Sequence, residues 1–252
     1  MQDGAGMSFW DHLDVLRGAL IRMIVSVVLA SVVVFCFKTF VFDNIILAPA
    51  SGDFFVYKML GVDFSMPLIN IEISAQFFTH LKVSFILGLV IAFPYIIFEI
   101  WRFIAPALYE REIRAVRKAF GFASLLFYMG VAIGYLIVLP ITLNFFQSYS
   151  VSDSVVNTIS LQSYISMLTS MVLLFGLVFE FPTVLAVLSK MGIVHREMLR
   201  KYRKHAIVGI LIVSAIITPA DPFSMLIAAL PLYLLYELSV LVCARKKEEA
   251  AE

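Results

Sequence analysis

Charged residues are scarce in this sequence. Only 15% of its 252 residues are Asp, Glu, Lys or Arg, whereas 62% are hydrophobic, and the mean hydropathy is +0.96. A soluble fold of this length cannot bury so much apolar surface, so the composition excludes a soluble enzyme and a disordered chain. The net charge of +1 excludes a strongly basic nucleic-acid-binding protein. We therefore predict a polytopic membrane protein.

Residues for catalysis or metal binding are also few. The chain has two cysteines, Cys36 and Cys243, and four histidines without metal-ligand spacing. It lacks the G-x-S-x-G, H-E-x-x-H, glycine-rich phosphate-binding and C-x-x-C patterns. The sequence thus predicts no enzyme, metal or cofactor. The cysteines are expected near opposite membrane faces, too far apart for a disulfide.

Long apolar runs, by contrast, are frequent, and each can cross a bilayer when it reaches about 20 residues. Six spans are predicted, of which the fifth is short, at about residues 19–37, 77–100, 120–146, 164–188, 205–217 and 223–242. The predicted fold is a single all-α membrane domain, in which internal prolines kink four helices into a concave, cup-like wall. Residues 38–76 are predicted to cap the outer surface, and residues 243–252 to form a tail.

The distribution of basic residues predicts the orientation. Sixteen of the nineteen Lys and Arg lie in the N-terminal segment or just inside the first span, in the 101–119 and 189–206 loops, or in the tail, whereas the 147–163 loop has none. Positive charges are enriched on the cytoplasmic side of membrane proteins. Both termini are therefore predicted to be cytoplasmic, in agreement with an even number of spans.

The segment before the first span has its own pattern. Apolar residues recur there at helical spacing, and Asp11 and Asp14 share another face. This arrangement predicts a short amphipathic helix on the cytoplasmic surface.

Glu180 is the strongest candidate for function within a span. It lies about 13 Å from the predicted end of the fourth span, at the 1.5 Å rise of a helix. A carboxylate at that depth is costly, which indicates function. Three interpretations remain open besides that of a polar binding anchor: a structural hydrogen bond to a neighbouring helix, a water-filled groove that tolerates the carboxylate, and the proton carrier of a proton-coupled small-solute transporter.

The 101–119 loop combines aromatic residues with two acids, Glu110 and Glu112. A carboxylate binds the planar guanidinium of arginine through two hydrogen bonds, so either acid is a candidate acceptor for an arginine-containing peptide. Salt bridges to Arg114 or Arg117 along a surface helix are the alternative.

Four motifs, in order along the chain, resemble the TatC family, the polytopic core subunit of the twin-arginine translocase. They are Phe9–Arg17, Phe103–Tyr109 with Glu112, Phe175–Pro182 and Thr218–Ser224. The resemblance implies a receptor for signal peptides that carry two consecutive arginines. It also implies a cup-shaped bundle in a bacterial inner membrane, single-span partners of the TatA and TatB type, self-association, and export of folded proteins driven by the protonmotive force.

The resemblance also assigns site residues. Those implied for signal-peptide binding are Glu112, Phe103, Asp14, Asp11, Arg17 and Glu110. Glu180 matches the family's intramembrane glutamate. The region implied for partner docking contains Ala215, Ile217, Thr218, Asp221 and Met225.

Two positions depart from the family pattern. Val15 stands where the family usually has glutamate, and the nearest acid, Asp14, is one residue earlier, about 100° away around a helix. Met225 stands where the family usually has glutamine. We expect Glu112 to bind one arginine of the signal peptide, and Asp11, Asp14 or Glu110 to bind the other.

Overall fold

The computed structural model describes residues 9–62, 64–105, 110–152, 154, 157–218 and 222–243, with the side chains of 9–12, 60, 110–119 and 242 excepted. This part of the chain is predominantly helical. Its α-helices are α1 Phe9–Cys36, α2 Lys38–Val41, α3 Phe55–Leu60, α4 Ala75–Ile104, α5 Glu110–Ile133, α6 Leu139–Ser148, α7 Leu161–Val178, α8 Phe181–Lys190, α9 Arg196–Lys201, α10 Arg203–Ile217 and α11 Pro222–Val242. The strands β1 Leu68–Ile69 and β2 Ile159–Ser160 pair in parallel.

Five helical stretches in the described part are long and apolar enough to cross a membrane. They are Leu13–Cys36, Ala75–Ile104, Phe120–Ser148, Leu161–Lys190 and Pro222–Leu241. Helix α10 has 15 residues. Its length is therefore about 22 Å, less than the roughly 30 Å of a hydrocarbon core.

Helix α1 is continuous from Phe9 to Cys36. The prediction of a separate surface helix before the first span was therefore wrong. The segment has no proline, and its leucines and alanines favour propagation of the helix through Gly18. The amphipathic residues form the first turns of a longer helix.

Helix α1 packs antiparallel to α4, because the early residues of one contact the late residues of the other. Ser31 lies against Gly88, where an added Cβ would be only 2.1 Å from the Ser31 Oγ and 2.6 Å from its backbone N. Near the other end of α4, the rings of Phe35 and His80 stack at 4.0 Å. The small residue at position 88 thus allows the two backbones to approach closely.

Helices α5 and α7 are joined by a second close contact. A Cβ on Gly130 would lie 2.5 Å from the Phe175 carbonyl oxygen, and one on Gly176 would lie 2.7 Å from the Phe127 ring. The Phe127 ring stacks on Phe93 of α4 at 3.5 Å. The buried core therefore runs through α4, α5 and α7.

Proline leaves a carbonyl free inside α4, and a neighbouring helix satisfies it. Pro94 has no N–H to donate to the Val90 carbonyl one turn earlier. The Tyr128 hydroxyl of α5 donates to that carbonyl oxygen at 3.1 Å. The proline position is thus also a point of helix–helix attachment.

The segment between α1 and α4 covers one end of the bundle, which we name the cap end. Three buried or half-buried tyrosines hold it: the hydroxyls of Tyr57, Tyr135 and Tyr164 donate to the carbonyls of Pro49, Ile45 and Ile46. The β1–β2 pair joins the loops that precede α4 and α7. Cys36, at the cap end, is exposed, whereas Cys243 is buried, and both are free thiols.

Candidate functional site

A cavity of about 370 Å³ lies between α1 and α4 at the end opposite the cap, which we name the basic end because the 101–119 and 189–206 loops adjoin it. We call it the basic-end cavity. It is lined by Asp14, Val15, Gly18, Ala19, Arg22, Glu99, Arg102 and Phe103. Charged groups of both signs thus meet at the end of apolar helices.

An ion pair between α1 and α4 forms part of the cavity wall. The Arg22 Nη2 and Nε donate to the Glu99 Oε2 at 2.7 Å and 3.0 Å. The Tyr95 hydroxyl, one turn earlier on α4, donates to the Glu99 Oε1 at 3.0 Å. Both carboxylate oxygens are therefore held, as a buried charge requires.

The two partners differ in exposure. The Glu99 side chain is 1% exposed, whereas the Arg22 side chain is 41% exposed. Gly18 lies one turn before Arg22, and a Cβ there would be 3.3 Å from the Arg22 Nη1. The absence of a side chain at position 18 thus leaves room for the guanidinium beside α1.

Of the residues implied for peptide binding, the structure brings Asp14 and Phe103 into the basic-end cavity. Asp14 is exposed and Phe103 is half-buried. Arg17 is exposed on α1, outside the cavity lining. The side chains of Asp11, Glu110 and Glu112 lie outside the described residues, although the backbone at all three positions is helical.

A second cavity of about 510 Å³ opens on another face of the same end of α4. It lies between α4 and α5 and is lined mainly by apolar residues: Pro94, Ile97, Phe98, Trp101, Ala105, Phe120, Gly121 and Ser124. We call it the apolar cavity. The last two turns of α4 thus present charge on one side and aromatic and aliphatic surface on the other.

Glu180 lies at a break in the fourth apolar stretch. Helix α7 ends at Val178 and α8 begins at Phe181. Pro182 explains the break, because its ring would clash in a continuous helix with the carbonyl of Val178, four residues earlier. Glu180 is half-buried beside Thr183 and the backbone of Phe127. Among the described residues, its Oε1 has no hydrogen-bond partner of standard geometry.

Comparison with known proteins identifies the family. The sequence profile of the Sec-independent protein translocase protein TatC matches residues 11–231. The chain is 33% identical over 251 residues to TatC of Blattabacterium sp. subsp. Periplaneta americana, an alignment that covers 94% of each chain. It is 35% identical to TatC of Escherichia coli K12, covering 91% of this chain and 85% of that protein. The chain belongs to the TatC family.

Solved structures agree with this assignment. The fold is similar to a crystal structure of the twin-arginine translocase receptor TatC, with a TM-score of 0.76 and 36% identity over 92% of this chain and 97% of that chain. A second TatC structure, in DDM, has a TM-score of 0.78 and 35% identity over 92% and 98% of the chains. The predicted family is thus confirmed. As a member of the TatC family, the chain is a core component of the twin-arginine translocase.

The TatC assignment places the chain in a membrane transport family whose members work with other Tat subunits, and not in an enzyme family. The region implied for partner docking lies at the junction of α10 and α11. Ile217 and Thr218 are buried there, and the Thr218 hydroxyl donates to the Ser214 carbonyl at 2.9 Å. Ala215 is exposed, Met225 is half-buried, and Asp221 lies outside the described residues.

Sequence reasoning did not assign Arg22 and Glu99 to the TatC site. The available signal was that opposite charges occur at similar distances from the same end of two predicted spans. Pairing across helices neutralises both, so charges at matched depth predict a contact.

Proposed function

We propose that this chain is the receptor for twin-arginine signal peptides and binds their arginines at the basic-end cavity. The observation that carries the proposal is the presence of Asp14, Glu99 and Phe103 around one cavity. Carboxylates there provide bidentate acceptors for guanidinium groups. Glu112 engages one arginine, and a second carboxylate at this end of the molecule engages the other; the acids that the sequence suggests for it are Asp11, Asp14 and Glu110.

The apolar cavity suits the hydrophobic stretch that follows the arginines in such a peptide. It shares the end of α4 with the basic-end cavity, and its wall includes Phe98, Trp101 and Phe120. A peptide with charge followed by apolar residues therefore meets charge and then apolar surface. Arg17, exposed on the outer side of α1, contributes to the peptide-binding surface at its rim.

We infer that the chain crosses the bacterial inner membrane six times as one cup-shaped domain with both termini in the cytoplasm. The bias of Lys and Arg toward the basic end supports this orientation. Helix α10 is then a short fifth span, accommodated by local thinning of the bilayer. Residues 38–76 cap the outer surface and residues 243–252 form a cytoplasmic tail.

We propose that single-span subunits of the TatA and TatB type dock near the α10–α11 junction. Ala215 lies on an exposed apolar face with Ile216, and Met225 is half-buried on the next helix. Ile217 and Thr218 are buried at the junction, and Asp221 is proposed as a further residue of the docking region. Assembly with these subunits and with further copies of the chain exports folded cargo with energy from the protonmotive force.

Glu180 is proposed as a neutral or water-linked polar anchor for an inserted signal peptide or partner helix. Its position at the break between α7 and α8, with one carboxylate oxygen lacking a partner among the described residues, supports this role. The alternative of a proton-coupled small-solute transporter has no support from the comparisons, which identify a protein translocase component.

Site-specific photocrosslinking tests the receptor role. A photoreactive residue is placed at Phe103 or Glu112 in native membranes, with Val151, in the loop that precedes β2 at the cap end, as the control position. A signal peptide with Arg-Arg and its Lys-Lys twin are offered. We expect crosslinks to the Arg-Arg peptide alone from positions 103 and 112, and none from position 151. Equal crosslinking of both peptides, or of neither, would contradict the proposal.

A further inference from the structure

We propose that Glu99 is the second arginine acceptor of the signal-peptide site and that Arg22 occupies it until the peptide arrives. This inference rests on the proposed receptor function and names a residue and an exchange that the function does not itself require. In the unbound chain, the Arg22 guanidinium takes the position on the Glu99 Oε2 that a signal-peptide arginine takes in the complex.

The difference in exposure identifies which partner stays and which leaves. Glu99 is 1% exposed, so its carboxylate cannot be left without a cation. Arg22 is 41% exposed and carries its charge at the end of a long, flexible side chain, so it can turn toward water. The carboxylate is therefore the fixed receptor group, and the guanidinium is the exchangeable one.

Exchange of one guanidinium for another preserves the charge balance of the cavity. The Glu99 carboxylate remains paired, and its Oε1 keeps the hydrogen bond from Tyr95 at 3.0 Å. Gly18 leaves open the space beside the Arg22 Nη1. The rearrangement of charge within the cavity is thus limited to moving Arg22, which is already partly solvated.

The buried acceptor of the cavity comes from α4. Asp14 and Val15 of α1 line the basic-end cavity together with Glu99 of α4. Asp14 is exposed, whereas Glu99 is buried. Two acceptors, Glu99 and Glu112, then match the two arginines.

The hydrogen bonds between Arg22 and Glu99 also explain why a peptide arginine binds Glu99 better than a peptide lysine. Two nitrogens of the Arg22 guanidinium, Nε and Nη2, reach the same carboxylate oxygen. A lysine ammonium is a compact point charge and cannot reproduce two donors in a fixed plane. A Lys-Lys peptide therefore displaces Arg22 poorly.

A second triad in the chain provides a matched control. Arg203 of α10 donates to the Glu237 Oε2 at 2.7 Å, and the Tyr233 hydroxyl donates to the Glu237 Oε1 at 3.2 Å. As in the first triad, the tyrosine lies four residues before the glutamate. Here the glutamate side chain is 28% exposed and joins α10 to α11. Substitutions in this triad remove equivalent bonds at a different place.

The test measures the affinity of Arg-Arg and Lys-Lys signal peptides for the full-length chain in lipid nanodiscs. We expect Glu99→Gln to weaken binding of the Arg-Arg peptide at least tenfold, because the acceptor charge is lost. We expect Arg22→Gln to strengthen it about tenfold, because the internal competitor is removed. Glu237→Gln and Arg203→Gln should both remain within twofold of wild type.

The gain in Arg22→Gln cannot arise from misfolding, so it decides the inference. If Arg22→Gln weakens binding as much as Glu99→Gln does, the pair is structural and the exchange is refuted. Unchanged binding in Glu99→Gln also refutes it, while the receptor function stands if wild type still prefers Arg-Arg. Equal binding of Arg-Arg and Lys-Lys peptides by wild type would instead refute the receptor function.

Discussion

Two glutamates in apolar helices are accommodated in different ways. Glu99 has both oxygens bonded, to Arg22 and Tyr95. Glu180 lies at a helix break, with one oxygen lacking a partner among the described residues. A buried charge needs an opposite charge, whereas a neutral carboxyl needs only hydrogen bonds. The surroundings of Glu180 suit a polar group that bonds to an incoming segment.

Substitution of Glu180 distinguishes a polar anchor from a proton carrier. We expect Glu180→Gln to retain most transport of a folded twin-arginine substrate, since glutamine keeps the hydrogen-bonding capacity. Glu180→Ala should lower transport about tenfold, equivalent to roughly 1.4 kcal/mol. The rate of substrate export in cells with matched protein levels is the measurement. Equal loss of transport in both variants would favour the proton carrier.

Tyr57 makes the stability of the chain sensitive to alkaline pH. The side chain is buried outside the membrane spans, and burial raises the pKa of its phenol well above the usual 10. The folded state therefore keeps a proton that the unfolded state loses above pH 10. The contribution of the protonated Tyr57 phenol to the free energy of unfolding is therefore complete below pH 10 and decreases as the pH rises further.

At pH 11 this difference amounts to about 1.4 kcal/mol for one phenol with an unfolded pKa of 10. We expect the free energy of unfolding in detergent to fall between pH 9 and pH 11, and this fall should be about 1.4 kcal/mol smaller in Tyr57→Phe than in wild type. Tyr149→Phe removes an exposed phenol, so it should behave as wild type does. Parallel pH profiles for wild type and Tyr57→Phe would be inconsistent with the assignment.

At the scale of helices, close backbone contacts at glycine determine the packing. Gly88 joins α4 to α1, and Gly130 and Gly176 join α5 and α7. Apolar side chains gain little from leaving lipid for another helix, so association depends on close packing and polar contacts. These glycines therefore determine how closely the helices approach one another.

Alanine at Gly88 should separate α1 from α4. The added Cβ would overlap Ser31, including its backbone N at 2.6 Å, and overpacking of this kind costs about 1–3 kcal/mol. We expect a corresponding fall in the free energy of unfolding in detergent. Gly121→Ala is the control, since nothing lies within 4 Å of its Cβ position. A Gly88→Ala variant as stable as Gly121→Ala would contradict the packing argument.

The sequence predicts the location of helices better than their ends or their interruptions. Apolar runs and prolines indicate where helices lie, because a segment in lipid must satisfy its backbone hydrogen bonds internally, as a helix does. The continuity of α1 through Gly18 was missed, since an amphipathic pattern is compatible with a separate helix or with the first turns of a longer one. Arg22 and Glu99 lie at matched depth in two predicted spans, which makes them candidates for a pair, but their pairing also depends on which helices are neighbours, and the structure is needed to show that.

At the scale of the whole molecule, the number of crossings depends on α10. Five stretches in the described part are long enough to span a bilayer, and the 15 residues of α10 are shorter. The two ends of α10 nevertheless lie near opposite ends of α11. At the start of α10, Arg203 pairs with Glu237 near the end of α11. The other end of α10 leads to the start of α11, where Phe223 stacks on Phe145 of α6. Crossing by α10 would place the C-terminal tail on the same side as the N-terminus.

Cysteine labelling of intact cells tests this topology. In a Cys36→Ser background, a membrane-impermeant maleimide should label Val151→Cys, and it should label Met191→Cys and Lys246→Cys only after permeabilisation. Cys243 is buried and is not expected to react. Labelling of Lys246→Cys in intact cells would mean that α10 does not cross and that the chain has five spans.

The pairing of Arg22 with Glu99 also has a consequence for biosynthesis. The two residues are 77 positions apart, so at 5–20 residues per second the ribosome adds Glu99 about 4–15 s after Arg22. During that interval, Arg22, near the middle of α1, must be solvated by water or lipid headgroups. Arrival of α4 supplies the missing charge. The order of synthesis therefore favours α1 and α4 as the first pair of helices to associate during insertion.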